Sequence, residues 1–162
     1  MHTMPVKRRE RQIAISAVFI FAILAIDQIS KTLIVANLAI GQSMPIIKNI
    51  LHVTFVKNTG AAFGLFKNST PIFIAISIIA VVFIAGLILS SIKKANFFSN
   101  KAFDIGLILI LSGALGNLID RLKCGYVIDF IDVRIWPVFN IADTCITIGT
   151  ILLLLSFRKS TL

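Results

Sequence analysis

The chain has 162 residues, of which 57% are hydrophobic and only 14% charged, where a soluble domain carries about 25% charged residues. That composition excludes an ordinary water-soluble fold. The net charge of +9 does not mark a nucleic-acid binder either, because the sixteen Lys and Arg lie between long apolar runs rather than on one amphipathic face.

Crossing a hydrocarbon core of about 30 Å takes roughly 20 helical residues, and four runs qualify, over about 13–35, 71–92, 102–119 and 138–157. The first, IAISAVFIFAILAI, needs the DQISKTLIV that follows it to reach full length. MHTMPVKRRERQ ahead of it has the charge of a signal-peptide n-region, but no small-residue A-x-A site follows, so the segment reads as a retained anchor. Lys7, Arg8, Arg9 and Arg11 precede the first run, Lys93, Lys94 and Lys101 sit in the short second connection, and Arg158 and Lys159 follow the last. By the positive-inside rule these nine put both termini in the cytoplasm and the longer connections, 37–70 and 120–137, outside. The expected fold class is an all-α polytopic membrane protein, a single domain over 1–162 with four transmembrane helices and a small extracytoplasmic β-containing loop domain.

The first long connection supplies the β part. LHVTFV alternates as a strand does, and the NTGAA that follows is a small-residue turn in which Gly60 permits unusual backbone angles or a close approach. A small sheet lying on the membrane is expected there. Cys124 and Cys145 are too few for a disulfide framework, and His2 and His52 are the only histidines. With no metal-ligand spacing, neither a metal nor a cofactor is expected, and a His-based triad is hard to build.

Chemistry concentrates in VIDFIDVRIWPVFNIAD, which holds Asp129, Asp132 and Asp143, three of seven acidic residues. From Thr144 to Phe157 runs a fourteen-residue charge-free segment, about 21 Å of helix. Asp143 therefore falls inside the hydrocarbon boundary, where a carboxylate is costly and is a functional candidate by default. A plainer reading stands beside it: in N-I-A-D, Asn140 caps a helix and Asp143 reaches back from its first turn. Capping leaves Asp129 unexplained. Alternation in GYVIDFID puts Val127, Asp129 and Ile131 on one face and Asp132 on the other, so Asp132 reads as a solvated loop residue or the ion partner of Arg134. If Asp129 and Asp143 meet, two carboxylates share one proton, leaving one general base for a water and one general acid for a carbonyl oxygen.

Other polar residues sit at the same level. Asp27 and Lys31, spaced i, i+4, read as a snorkelling helix-end pair, and Asp120 and Arg121 as an interfacial anchor. The small residues of SGALG, Ser112 to Gly116, permit close helix packing.

DQISK at Asp27, NTGAAFG at Asn58, GNLIDR at Gly116, VIDFID at Val127 and FNIAD at Phe139 together resemble the bacterial lipoprotein signal peptidase family, signal peptidase II. Each motif is weak alone; five in order across nearly the whole chain are specific. The resemblance implies an aspartic endopeptidase of the bacterial inner membrane that removes signal peptides from diacylglyceryl-modified prolipoproteins, cutting before the lipidated cysteine. It implies Asp129 and Asp143 as the catalytic pair, and supporting or substrate-binding roles for Asn58, Gly60, Asn117, Arg121 and Asn140, with Asp120 beside them. Asp27 and Lys31 become characteristic positions. No metal is implied; the implied partners are the prolipoprotein, membrane lipid and a globomycin-type cyclic peptide inhibitor. DVRIWPV, between the two aspartate motifs, is shorter than the family pattern. Small Ala61 and Ala62 beside Gly60 are expected to let substrate backbone pass.

Two other classes compete. A small proton-coupled transporter would use Asp27, Asp129 and Asp143 as a relay, but these acids gather at one interface instead of crossing the span. A non-enzymatic assembly subunit would tolerate Asp129→Asn. The G-x-G-D pattern of presenilin-like proteases is absent.

Overall fold

The computed structural model describes residues 5–60, 70–93 and 100–158; Ala61, Ala62, Lys94 and Lys159 lie outside them. The elements run α1 (Val6–Asn37), β1 (Ser43–Ile47), β2 (Leu51–Asn58), α2 (Thr70–Lys93), α3 (Lys101–Cys124), β3 (Val127–Asp132) and α4 (Ile141–Arg158). Among the described residues three helices, α1, α2 and α3, are long and apolar enough to cross a membrane, and the apolar part of α4, Ile141–Phe157, is shorter. The expected small sheet is present as well.

α3 is the central element. Asn100 caps it, its side chain accepting from the Phe103 amide, and Gly125 ends it in the left-handed region at φ 79°, a conformation only glycine adopts without strain. That cap explains why the helix continues past Ile119 to Cys124. Ile84, Ile88 and Ile92 of α2 pack on Leu107, Ile108 and Leu111 of α3 in one buried cluster. Many other large apolar side chains of the helices turn outward, among them Val18, Phe19, Phe21, Val82 and Phe83. An outward apolar face over a polar interior suits a lipid solvent, in which apolar surface need not be hidden.

Glycines bring α4 close to α3. A Cβ at Gly106 would stand 2.8 Å from the Gly149 carbonyl oxygen, and one at Gly149 would stand 2.7 Å from that of Gly106. One at Gly113, within SGALG, would collide with the Ala142 carbonyl oxygen. The small-residue stripe thus does what its composition suggests.

The sheet is antiparallel with order β1-β2-β3. β1 and β2 form a hairpin whose turn holds Asn49 at φ 64°, a position Asn tolerates better than most residues. β3 pairs with β2 across more than seventy residues of chain, with Val56 opposite Asp129. Beyond β3 the chain doubles back: the Ile131 and Phe139 amides exchange hydrogen bonds with each other's carbonyls at 2.7 and 3.1 Å. For this reason α4 begins at Ile141 rather than Val138, the preceding residues being held as a strand bridge and a cap. The start of α4 now lies against β3.

Candidate active site

Asp129 and Asp143 line one cleft of about 730 Å³, together with Asn58, Gly60, Asn117, Arg121, Phe73 and Trp136. The two aspartates arrive by different routes, Asp129 from mid-β3 and Asp143 from the first turn of α4. Asn140 joins them. Its Nδ2 donates to Asp129 Oδ1 at 2.8 Å, its backbone N–H donates to Asp143 Oδ2 at 3.2 Å, and its Oδ1 accepts from the Asp143 amide at 2.9 Å. The capping pattern read in N-I-A-D is therefore present, and the same residue reaches the second carboxylate.

Two further amides complete the setting. Asn58 Nδ2 donates to Asp129 Oδ2 at 2.8 Å, while Asn58 Oδ1 accepts from the Gly60 amide at 3.0 Å, which fixes which end of the side chain faces the acid. Asn117 Nδ2 donates to Asp143 Oδ1 at 2.7 Å. Asp129 is 1% exposed. Burial, and then the nearby charge of Asp143, push its carboxyl up to about 7 against the opposing hydrogen bonds from Asn58 and Asn140 and the charge of Lys31. A carboxyl near 7 is about half protonated at neutral pH, well above an ordinary aspartate, so Asp129 can carry a proton in the cleft that it shares with Asp143.

Behind the cleft, the snorkelling reading of Asp27 and Lys31 is corrected. Lys31 is buried, with Nζ 2.9 Å from Asp27 Oδ2, 2.8 Å from Asp120 Oδ2 and 3.1 Å from Asn117 Oδ1. All three of its N–H bonds have partners, because the ammonium lies against α3 and faces no water. Asp120 is likewise no interfacial anchor: it is 3% exposed, and its Oδ2 also accepts from the Ile128 amide at 3.2 Å, tying α3 to β3. Asp27 Oδ1 accepts from the Ala142 amide at 3.0 Å, so α1 supplies an acceptor to an otherwise unpaired N–H in the first turn of α4. Gly116 is required there, since a Cβ would stand 2.6 Å from Asp27 Oδ2.

Arg121 does remain near the surface of the bundle, its guanidinium 5.3 Å from the Phe73 ring centroid and facing the cleft. Asp132 separates from the pair, as alternation predicts, but is not solvated. It is buried, accepting from Thr54 Oγ1 at 2.8 Å and from Arg134 Nη1 at 3.0 Å. Burial raises its carboxyl, and these bonds outweigh that and hold it below the ordinary carboxylate range.

Sequence reasoning passed over Gln28, although it stands inside DQISK. Its Nε2 lies within reach of Asp27 Oδ2, the Gly116 carbonyl and Asp120 Oδ1 at 3.2, 3.3 and 2.9 Å. A polar residue one position from the Asp27/Lys31 face of an apolar helix was the available signal. Phe73 and Trp136 were also missed, and nothing local distinguishes them from other interfacial aromatics.

The signature of the family described as Signal peptidase (SPase) II matches residues 19–159. A lipoprotein signal peptidase of Moorella thermoacetica is 46% identical over 131 residues, covering 81% of this chain and 84% of that protein. One from Clostridioides difficile is 46% identical over 136 residues, covering 83% and 88%. A bacterial membrane enzyme solved by the in meso method at 2.3 Å resolution superposes with a TM-score of 0.83 at 32% identity, over 99% of this chain and 94% of that one.

Proposed function

Because the chain belongs to the signal peptidase II family, we propose that it removes the signal peptide from diacylglyceryl-modified prolipoproteins, cutting before the lipidated cysteine, with Asp129 and Asp143 as the catalytic pair. The observation that carries the assignment of the pair is the double reach of Asn140, which holds both carboxylates on one cleft wall.

Asp143, at the positive end of α4 and receiving N–H donors from Asn117 and Asn140, is the ionised base. Asp129, raised to about 7, is the acid. The base takes a proton from a water whose oxygen bonds to the scissile carbonyl carbon, and the acid gives its proton to the carbonyl oxygen. Collapse of the resulting diol breaks the C–N bond. The amine leaves with the proton Asp143 took, and Asp129 recovers one from the diol. Asn58, Asn117 and Asn140 hold the carboxylates, Gly60 fixes Asn58, and Arg121 and Phe73 form the wall that substrate meets. Asp27, Lys31 and Asp120 support the cluster from behind.

The protein is a multi-pass membrane enzyme. In our reading α4, at eighteen residues about 27 Å long, is the fourth span, the 162 residues form one embedded domain, and both termini are cytoplasmic in the bacterial inner membrane. The short length of α4 leaves Asp143 at the outer boundary, with the sheet beside it. Phe73, Ile76 and Ala80 of α2 and Ile146 of α4 extend the cleft wall with apolar side chains, suited to the signal helix, to membrane lipid, and to an apolar cyclic peptide of the globomycin type. The test is purified protein in lipid with a prolipoprotein in diacylated and unlipidated forms. The diacylated form should lose its signal peptide and show a size shift; equal cleavage of the unlipidated form would contradict the substrate assignment.

A further inference from the structure

Lys31 satisfies two buried carboxylates, yet it also contacts a third group that belongs to the site. Its Nζ donates to Asn117 Oδ1, and the other end of that amide, Nδ2, donates to Asp143 Oδ1. An ammonium has no acceptor to offer, so it compels Asn117 to present oxygen to it and therefore N–H to Asp143. A cation on an amide oxygen also polarises that amide, strengthening the hydrogen bond it donates. Asn140 Nδ2, which holds Asp129, lies 3.1 Å from the same Asn117 oxygen. We propose that Lys31 is a positioning residue for the aspartate pair: through Asn117 its charge sets the pH range in which Asp129 and Asp143 share their proton, and Asp27 and Asp120 meter that charge.

The inference rests on Asp129 and Asp143 being the catalytic pair. The charged groups around Lys31 are Asp27 on its own helix and Asp120 on α3; beyond Asn117 lie Asp143 on α4 and Asp129 on β3, with Arg121 on the cleft side over Phe73. The Lys31 charge favours the ionised form of Asp129. Neutralising Lys31 should therefore move titration of the pair to higher pH, and neutralising Asp120, which screens it, should move titration to lower pH. A purely structural role gives no reason for opposite shifts.

The experiment is the pH profile of kcat for cleavage of a diacylated prolipoprotein in lipid, with wild type, Lys31→Met, Asp120→Asn, the double variant and Lys31→Arg. We expect both limbs of the profile to move up by about one pH unit in Lys31→Met, down by less in Asp120→Asn, and to intermediate values in the double variant. Lys31→Arg, which keeps the charge and the donors, should retain the wild-type limbs. Should Lys31→Met fail to fold, Asp120→Asn and the charge-balanced double variant carry the comparison. Folded variants that change only the height of the profile, or the melting temperature, overturn the proposal. Asp129→Asn and Asp143→Asn run in parallel separate the two readings: inactivity of both with unmoved limbs in the Lys31 set refutes the inference alone, and turnover by either refutes the pair itself.

Discussion

Asn140 and Asp143 cap each other reciprocally, each backbone N–H donating to the other's side chain at 3.2 and 2.9 Å. A capping box of this kind ordinarily only starts a helix. Here the capping residue has an amide nitrogen left over, and it points at Asp129. Helix initiation and the alignment of the two acids are thus one event.

The role of Asn140 can be divided by substitution. Asn140→Ser keeps a capping oxygen but has no amide to reach Asp129, whereas Asn140→Ala loses both. Alanine should cost about 1–2 kcal/mol of stability and serine less, while both lower turnover about 100-fold through loss of the donor. Thermal unfolding paired with cleavage rates checks this. Full turnover in the serine variant would show that the bond to Asp129 is dispensable.

Replacing either acid of the pair should stop chemistry but not binding. Asp129→Asn and Asp143→Asn are each expected to lower kcat by about 1000-fold or more while still retaining diacylated substrate in a pull-down. The size shift on signal-peptide loss is the readout, and near-normal turnover by either variant would remove that residue from the mechanism.

Asp129 also makes stability depend on pH. Burial and then Asp143 raise its carboxyl to about 7 in the fold, against about 3.9 in the unfolded chain. The folded state consequently binds more protons than the unfolded one between those values, and this group's contribution to stability falls as pH rises from about 4 through about 7. Asp129→Asn removes that slope. The stability of the variant relative to wild type should improve by about 2–4 kcal/mol between pH 4 and pH 8, measured by denaturation at each pH. A difference that stays flat across the range would contradict the buried, proton-holding assignment.

Gly113→Ala probes the packing beneath the site. Its methyl would meet the Ala142 carbonyl oxygen and stand 2.8 Å from Ile146 Cγ1, and backbone cannot step aside cheaply. We expect a loss of about 1–3 kcal/mol, and a fall in kcat because the first turn of α4 carries Asp143. Circular dichroism melts and single-turnover cleavage measure the two. Gly86→Ala, where an added Cβ meets nothing within 4 Å, serves as the control.

How much of this was legible in advance follows from the range of each interaction. The N-I-A-D cap, the strand alternation around Asp129 and the small residues of SGALG act over a few residues, so local spacing exposes them. The surroundings of Lys31 do not. An i, i+4 pair near the end of an apolar helix looks the same whether its ammonium snorkels or is buried, and the deciding partner, Asp120, is 89 positions away and arrives only when α3 packs on α1. Asp132 divides in the same way: its ion pair with Arg134, two residues on, is legible from spacing, but its burial is not, because Thr54 lies 78 residues back on β2. β1 gave little sign of itself, because a five-residue strand exposed along its whole length has no buried face to imprint on the pattern.

The Ala142 amide bonded to Asp27 joins the first helix to the last. During synthesis α1, α2 and α3 exist before this bond can, and in that interval Asp143 and Asn140 have not yet met β3. The bonds from Asn117 to Asp143 and from Asn140 to Asp129 then wait on one late docking step, whereas the Lys31 cluster and the Asn58–Asp129 bond do not. On the proposed mechanism the two carboxylates meet only when the final helix docks, so a half-made chain in a bilayer full of other nascent proteins lacks the pair with which to cut them.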